Sequence, residues 1–184
     1  ATAFGTSIFV SAFALMFDGS IPQRSTVLIP AVAAMVAMGV WYRWFRLPFS
    51  VFILGGFGLV TIYALTASPY AIGGLYGQGA GQLFDLRNSP QLALATLVFG
   101  IIAFVAGMWF DMRDPNRLGR FAATAFWLHL LAAPALVNTV AMTLYNIGGT
   151  VGMLATAAAL VVIAVLALVI DRRSFLTAGL AYLA

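Results

Sequence analysis

Six stretches of this chain, residues 1–17, 26–42, 49–67, 90–110, 121–144 and 150–170, contain no Arg or Asp, and Lys and Glu occur nowhere in it. A helix on the surface of a water-soluble domain keeps a polar face. Runs this long without one are at rest in a single solvent, the hydrocarbon of a bilayer, which takes roughly 20 apolar residues to cross about 30 Å. There every backbone N–H and C=O has to be satisfied within the chain, so only helices and closed barrels can span it. The runs are continuous rather than alternating between apolar and polar, which selects helices over barrel strands. Composition agrees: 63% of residues are hydrophobic and 8% charged, against about 25% charged in a typical soluble domain.

Spans are predicted at 1–17, 26–42, 49–67, 90–110, 115–144 and 150–170, with part of a seventh at 175–184. The expected fold class is all-α and integral to the membrane, a bundle of six transmembrane helices in hairpins plus the start of a seventh, in one domain over 1–184. Ala1 and Ala184 both fall inside apolar runs, so the stretch is expected to be an excerpt of a longer chain. The longest connection, 68–91, places five glycines within residues 73–81 and is no regular helix, since each Gly costs about 1 kcal/mol relative to Ala in a helix interior. Ser89-Pro90 supplies an N-cap and first-turn pair for the fourth span, and Asp114-Pro115 does the same for the fifth. Three junctions, 41–56, 108–125 and 169–179, share a weak repeat of apolar helix end, Arg, Phe and small-residue helix start, which reads as tandem hairpins.

The formal charge of +4 comes from arginine alone. Arg43 and Arg46, then Arg113, Arg117 and Arg120, then Arg172 and Arg173 fall on one side of the predicted topology, while Arg24 and Arg87 fall on the other. Positive charge marks the cytoplasmic face, so the N-terminus and the turn 111–120 are expected in the cytoplasm of a bacterial inner membrane. Because these arginines sit singly or in pairs at the ends of apolar runs, they argue for topology rather than for nucleic-acid binding. With no cysteine there is no disulfide, iron–sulfur or thiol chemistry.

The turn 111–120 and the apolar run after it hold the groups best suited to chemistry, among them the only histidine. His129 lies about 12 Å into the membrane at 1.5 Å per residue, on a face stripped of bulk by Ala125, Ala132 and Ala133. An Ala four residues before a membrane-buried His is similar to single-helix antenna polypeptides, a resemblance that implies a tetrapyrrole held through His129. The plain reading of the same residues is a hydrogen bond to a neighbouring helix. Pro134 frees the carbonyl of Leu130, and Asn138 shares a face with Trp127, so Trp127, His129, Pro134 and Asn138 are the candidate ligand-binding residues. Arg113, Arg117 and Arg120 are candidates for contact with a lipid phosphate or an acidic partner. No Asp lies mid-span, as ion-coupled carriers usually require. No catalytic residues are expected, and no metal apart from one a tetrapyrrole would bring to His129.

The segment Asp111-Met-Arg-Asp-Pro-Asn-Arg117, followed by Ala125-Phe-Trp-Leu-His-Leu-Leu-Ala-Ala-Pro134, resembles uncharacterised polytopic inner-membrane proteins of proteobacteria. The resemblance implies a longer bundle of helical hairpins and carries no established activity. The expected role is a non-catalytic accessory, scaffold or assembly component whose partners are the bilayer and other membrane-protein helices. The alternatives are a transporter or channel for a small neutral or amphipathic solute, and a tetrapyrrole-binding subunit.

Overall fold

The computed structural model describes residues 23–66, 84–114, 116 and 119–169. The predicted spans 1–17 and 175–184, most of the glycine-rich connection, Pro115, Arg117, Arg172 and Arg173 lie outside the described residues. Those described are all-helical, with five helices and no strand: α1 (Gln23–Phe45), α2 (Phe49–Thr66), α3 (Pro90–Met112), α4 (Arg120–Tyr145) and α5 (Gly149–Val169). The first four are long and apolar enough to cross a membrane. Even the shortest of them, the 18 residues of α2, extends about 27 Å at 1.5 Å per residue. The apolar stretch Gly149–Val165 of α5 is shorter.

β-branched and aromatic residues stand beside Ala and Leu in these elements, and a continuous helix pairs the backbone polar groups of all of them within the segment. The threonines follow the same rule. Thr96, Thr124, Thr139 and Thr156 are buried, and each hydroxyl donates to the carbonyl four residues earlier, at 2.9, 2.9, 2.6 and 2.8 Å respectively. A hydroxyl that bonds its own helix enters an apolar contact without an unpaired donor.

Two compact units divide the chain: residues 1–73 with 106–128, and residues 74–105 with 129–184. In the first, α1 and α2 pack together around Ala31, Ala34, Met38, Val51 and Ala64, all buried. In the second, Gly100 of α3 lies so close to α4 that an added Cβ would stand 2.9 Å from Leu136 Cγ and 3.0 Å from Ala135 Cβ, a small-residue contact of the kind that holds membrane helices together. The turn from α4 to α5 is short because Gly148 and Gly149 take φ of 82° and 61°, where side-chain-bearing residues are strained.

Ahead of α3, in the second unit, the segment 84–89 is docked by a buried carboxylate. Asp85 is 2% exposed. Its Oδ1 accepts the Arg87 N–H at 2.9 Å, and its Oδ2 accepts the side-chain amides of Asn146, at 2.6 Å, and of Asn88. Beside it, Thr143 Oγ1 accepts the Leu86 N–H at 3.1 Å and donates to the Phe84 carbonyl at 3.4 Å. Burial pushes the Asp85 carboxyl upward, but the donors from Arg87, Asn146 and Asn88 together outweigh it and hold the group below the usual carboxylate range. The helix then starts at Pro90, behind Ser89, as expected from sequence.

A carboxylate with a lowered folded-state pKa contributes stability at pH above its unfolded value, about 3.9, and that contribution is lost as pH falls through the folded value. Apparent thermal stability in detergent is therefore expected to hold from pH 7 to about 5 and to drop below about 4. Asp85→Ala is expected to cost about 1–3 kcal/mol at pH 7, the penalty for leaving the Asn146 and Asn88 donors unpaired, and to flatten the acid limb. An unchanged acid limb in that variant would show that Asp85 does not set it.

Candidate functional site

In the first unit the ends of three helices meet around one cavity of about 600 Å³. α1 contributes Tyr42 and Arg43 from its last turns, and Arg46 from just beyond its end. Arg46 has φ 51°, and its N–H still donates to the Tyr42 carbonyl at 2.8 Å, so it closes the helix in the left-handed conformation that normally favours Gly. α3 contributes Trp109 and Phe110, followed by Arg113, whose guanidinium sits 3.6 Å from the centroid of the Trp109 ring. α4 contributes Arg120 and Phe121. Phe110 stacks on Phe121 at 5.9 Å, and the Tyr42 hydroxyl lies 3.3 Å from Thr124 Oγ1, which ties these ends together within the unit.

Asp114 is the single carboxylate in the lining, and it is already engaged. Its Oδ2 accepts the Gly119 N–H at 2.7 Å and the Ala122 N–H at 3.4 Å, satisfying donors at the start of α4 as an N-cap does. This explains why α4 begins at Arg120 rather than near Pro115: Asp114 caps the helix across the turn instead of from the position next to it. An added Cβ at Gly119 would lie 2.6 Å from Asp114 Oδ2, so a side chain there displaces the capping carboxylate. Arg43, Arg46, Arg113 and Arg120 against one Asp leave the lining with a formal charge of +3, four cations less one anion. All four arginines are exposed.

Of the arginines expected to contact a lipid or partner, Arg113 and Arg120 line this cavity and Arg117 lies outside the described residues. The other candidates each have their own surroundings. Trp127 belongs to the first unit and packs edge-on against Phe49 at 4.8 Å, with Phe52 and Phe126 at 5.4 Å each. His129 belongs to the second unit, is 0% exposed, and meets Phe104 of α3 at 5.4 Å in an edge contact. Two residues apart on a helix, Trp127 and His129 leave the axis about 160° from each other at about 100° per residue. Pro134 and Asn138 are half-buried further along α4. Ala125, Ala132 and Ala133 around His129 are each 0% exposed.

Two site residues escaped the sequence reading. Arg43 and Arg46 register there only as orientation signals, although the Tyr-Arg-Trp-Phe-Arg run beside an apolar helix end marks an interface. Their meeting with Arg113 and Arg120 is a tertiary fact with no local signature. Asp85 likewise reads as one more loop charge, because its partner Asn146 is 61 residues away. No protein-family model, no curated protein and no solved structure matches this chain.

Asp114→Ala and Gly119→Ala are each expected to lower the apparent stability in detergent by about 1 kcal/mol through the same lost cap. The double variant is expected to cost about as much as either single one, because both act on one interaction. Additive losses, measured by thermal unfolding, would show that Gly119 does not act through Asp114.

Proposed function

We propose that this chain is part of a multi-pass bacterial inner-membrane protein, built as a bundle of six spans and the start of a seventh with its arginine-rich end in the cytoplasm. Its proposed role is that of a non-catalytic accessory or assembly component that packs against the helices of other membrane proteins. The reading is supported by where the polar chemistry is spent. Among the described residues, the buried ionisable groups His129 and Asp85 are enclosed in internal contacts with Phe104, Asn88 and Asn146. What faces outward from the helices is apolar. On α5 that surface includes small residues, Ala157 and Ala158, set among Leu154, Val161, Val162 and Val165. Small positions between large ones allow a second helix to approach closely. The cytoplasmic orientation draws its support from the first unit, where the arginines that end α1, follow α3 and open α4 share one cavity and hence one side of the membrane.

Photo-crosslinkers placed singly at Ala158 and Val161 in native membranes test the role. Discrete adducts to a larger membrane protein are expected. Adducts to lipid alone would contradict it. Solute flux in proteoliposomes that His129→Ala abolishes would replace it with the carrier reading.

A further inference from the structure

We propose that the arginine-lined cavity binds the phosphate of a phosphate ester, with Arg43, Arg46, Arg113 and Arg120 as its donors. A topology signal needs arginines only on the correct side of the membrane. Here arginines from three helix ends line one space of about 600 Å³, an excess of like charge that an anion would offset. The only carboxylate in the lining is turned to the start of α4. The planar fork of Arg matches paired phosphate oxygens. Arg46 reaches the cavity from a left-handed backbone position, a conformation that costs energy for any residue with a side chain and so calls for some return.

The surroundings favour an ester carried by a lipid. Phe121 of the lining is exposed, and Trp44, Phe45 and Met112, adjacent in sequence to Arg43, Arg46 and Arg113, are exposed as well, apolar surface that acyl chains would cover and a soluble phosphate would not need. The site is independent of the accessory role proposed above.

The test is calorimetric titration of the purified protein in neutral detergent with three probes: short-chain phosphatidylglycerol, short-chain phosphatidylcholine and glycerol 3-phosphate. Phosphatidylglycerol is expected to bind about tenfold or more tightly than the zwitterionic lipid, since like-charged donors favour a net anion, and to weaken as salt is raised. Arg43→Gln, Arg46→Gln, Arg113→Gln and Arg120→Gln are each expected to weaken it about tenfold, the weight of one charge-assisted hydrogen bond. Arg87→Gln, outside the cavity, is expected to leave it unchanged. Arg46→Gly separates binding from folding: it relieves the positive φ, so the midpoint of thermal unfolding should hold or rise while affinity falls. Competition by glycerol 3-phosphate at matched concentration assigns the site to soluble phosphate esters, and failure to compete assigns it to lipid headgroups; both uphold a phosphate site. Equal binding of the two lipids, or unchanged affinity in the four Gln variants, overturns it.

Discussion

A peptide group in hydrocarbon has no water to bond, and an unsatisfied one costs several kcal/mol. Four of the described helices are long and apolar enough to span a membrane and meet that cost. In a continuous helix the backbone pairs within the segment, and the hydroxyls of Thr96, Thr124, Thr139 and Thr156 likewise bond back onto their own helices. Proline fits the same scheme. Pro30 and Pro134 lie inside α1 and α4, where each removes one donor and the remaining ladder holds the helix on either side.

Two carboxylates organise the segments that precede helices. Before α3, Asp85 gathers two side-chain amides and a backbone N–H into a buried clamp. Before α4, Asp114 accepts the N–H groups of Gly119 and Ala122 and so caps the helix start. One carboxylate thus fixes a connection and the other starts a helix, and in both cases backbone and amide donors engage the anion where an arginine might have been expected. The arginines around the cavity are left to face outward, which is what gives that end of the first unit its capacity to hold an anion.

Much of the helical layout was legible in the sequence because it depends on one-dimensional quantities, run length and the position of charge. Pro90 opens α3 as the Ser89-Pro90 pair indicated, and α4 gives way to α5 in the uncharged turn at Asn146-Ile-Gly-Gly149. The same logic placed α4 too early, near Pro115, since a remote cap looks in sequence like an adjacent one. The site was only half legible. Arg113 and Arg120 stand in one charged turn and were singled out together, whereas Arg43 and Arg46 lie some 70 residues earlier and join them only through the packing of Tyr42 on Thr124 and Phe110 on Phe121. Along α4, Trp127 meets the phenylalanines of α2 and His129 meets Phe104, partners that spacing along one helix does not specify.

The central claim is that these helices are threaded through a bilayer with the arginine-lined end in the cytoplasm. Because the chain has no cysteine, single substitutions report on it cleanly. Arg43→Cys, Arg113→Cys and Arg87→Cys, each expressed alone, would be exposed to a membrane-impermeant maleimide in spheroplasts and in inverted vesicles. The account predicts labelling of the first two only in inverted vesicles and of the third only in spheroplasts. Labelling of Arg43→Cys and Arg113→Cys from opposite sides, or of all three regardless of membrane orientation, would contradict it.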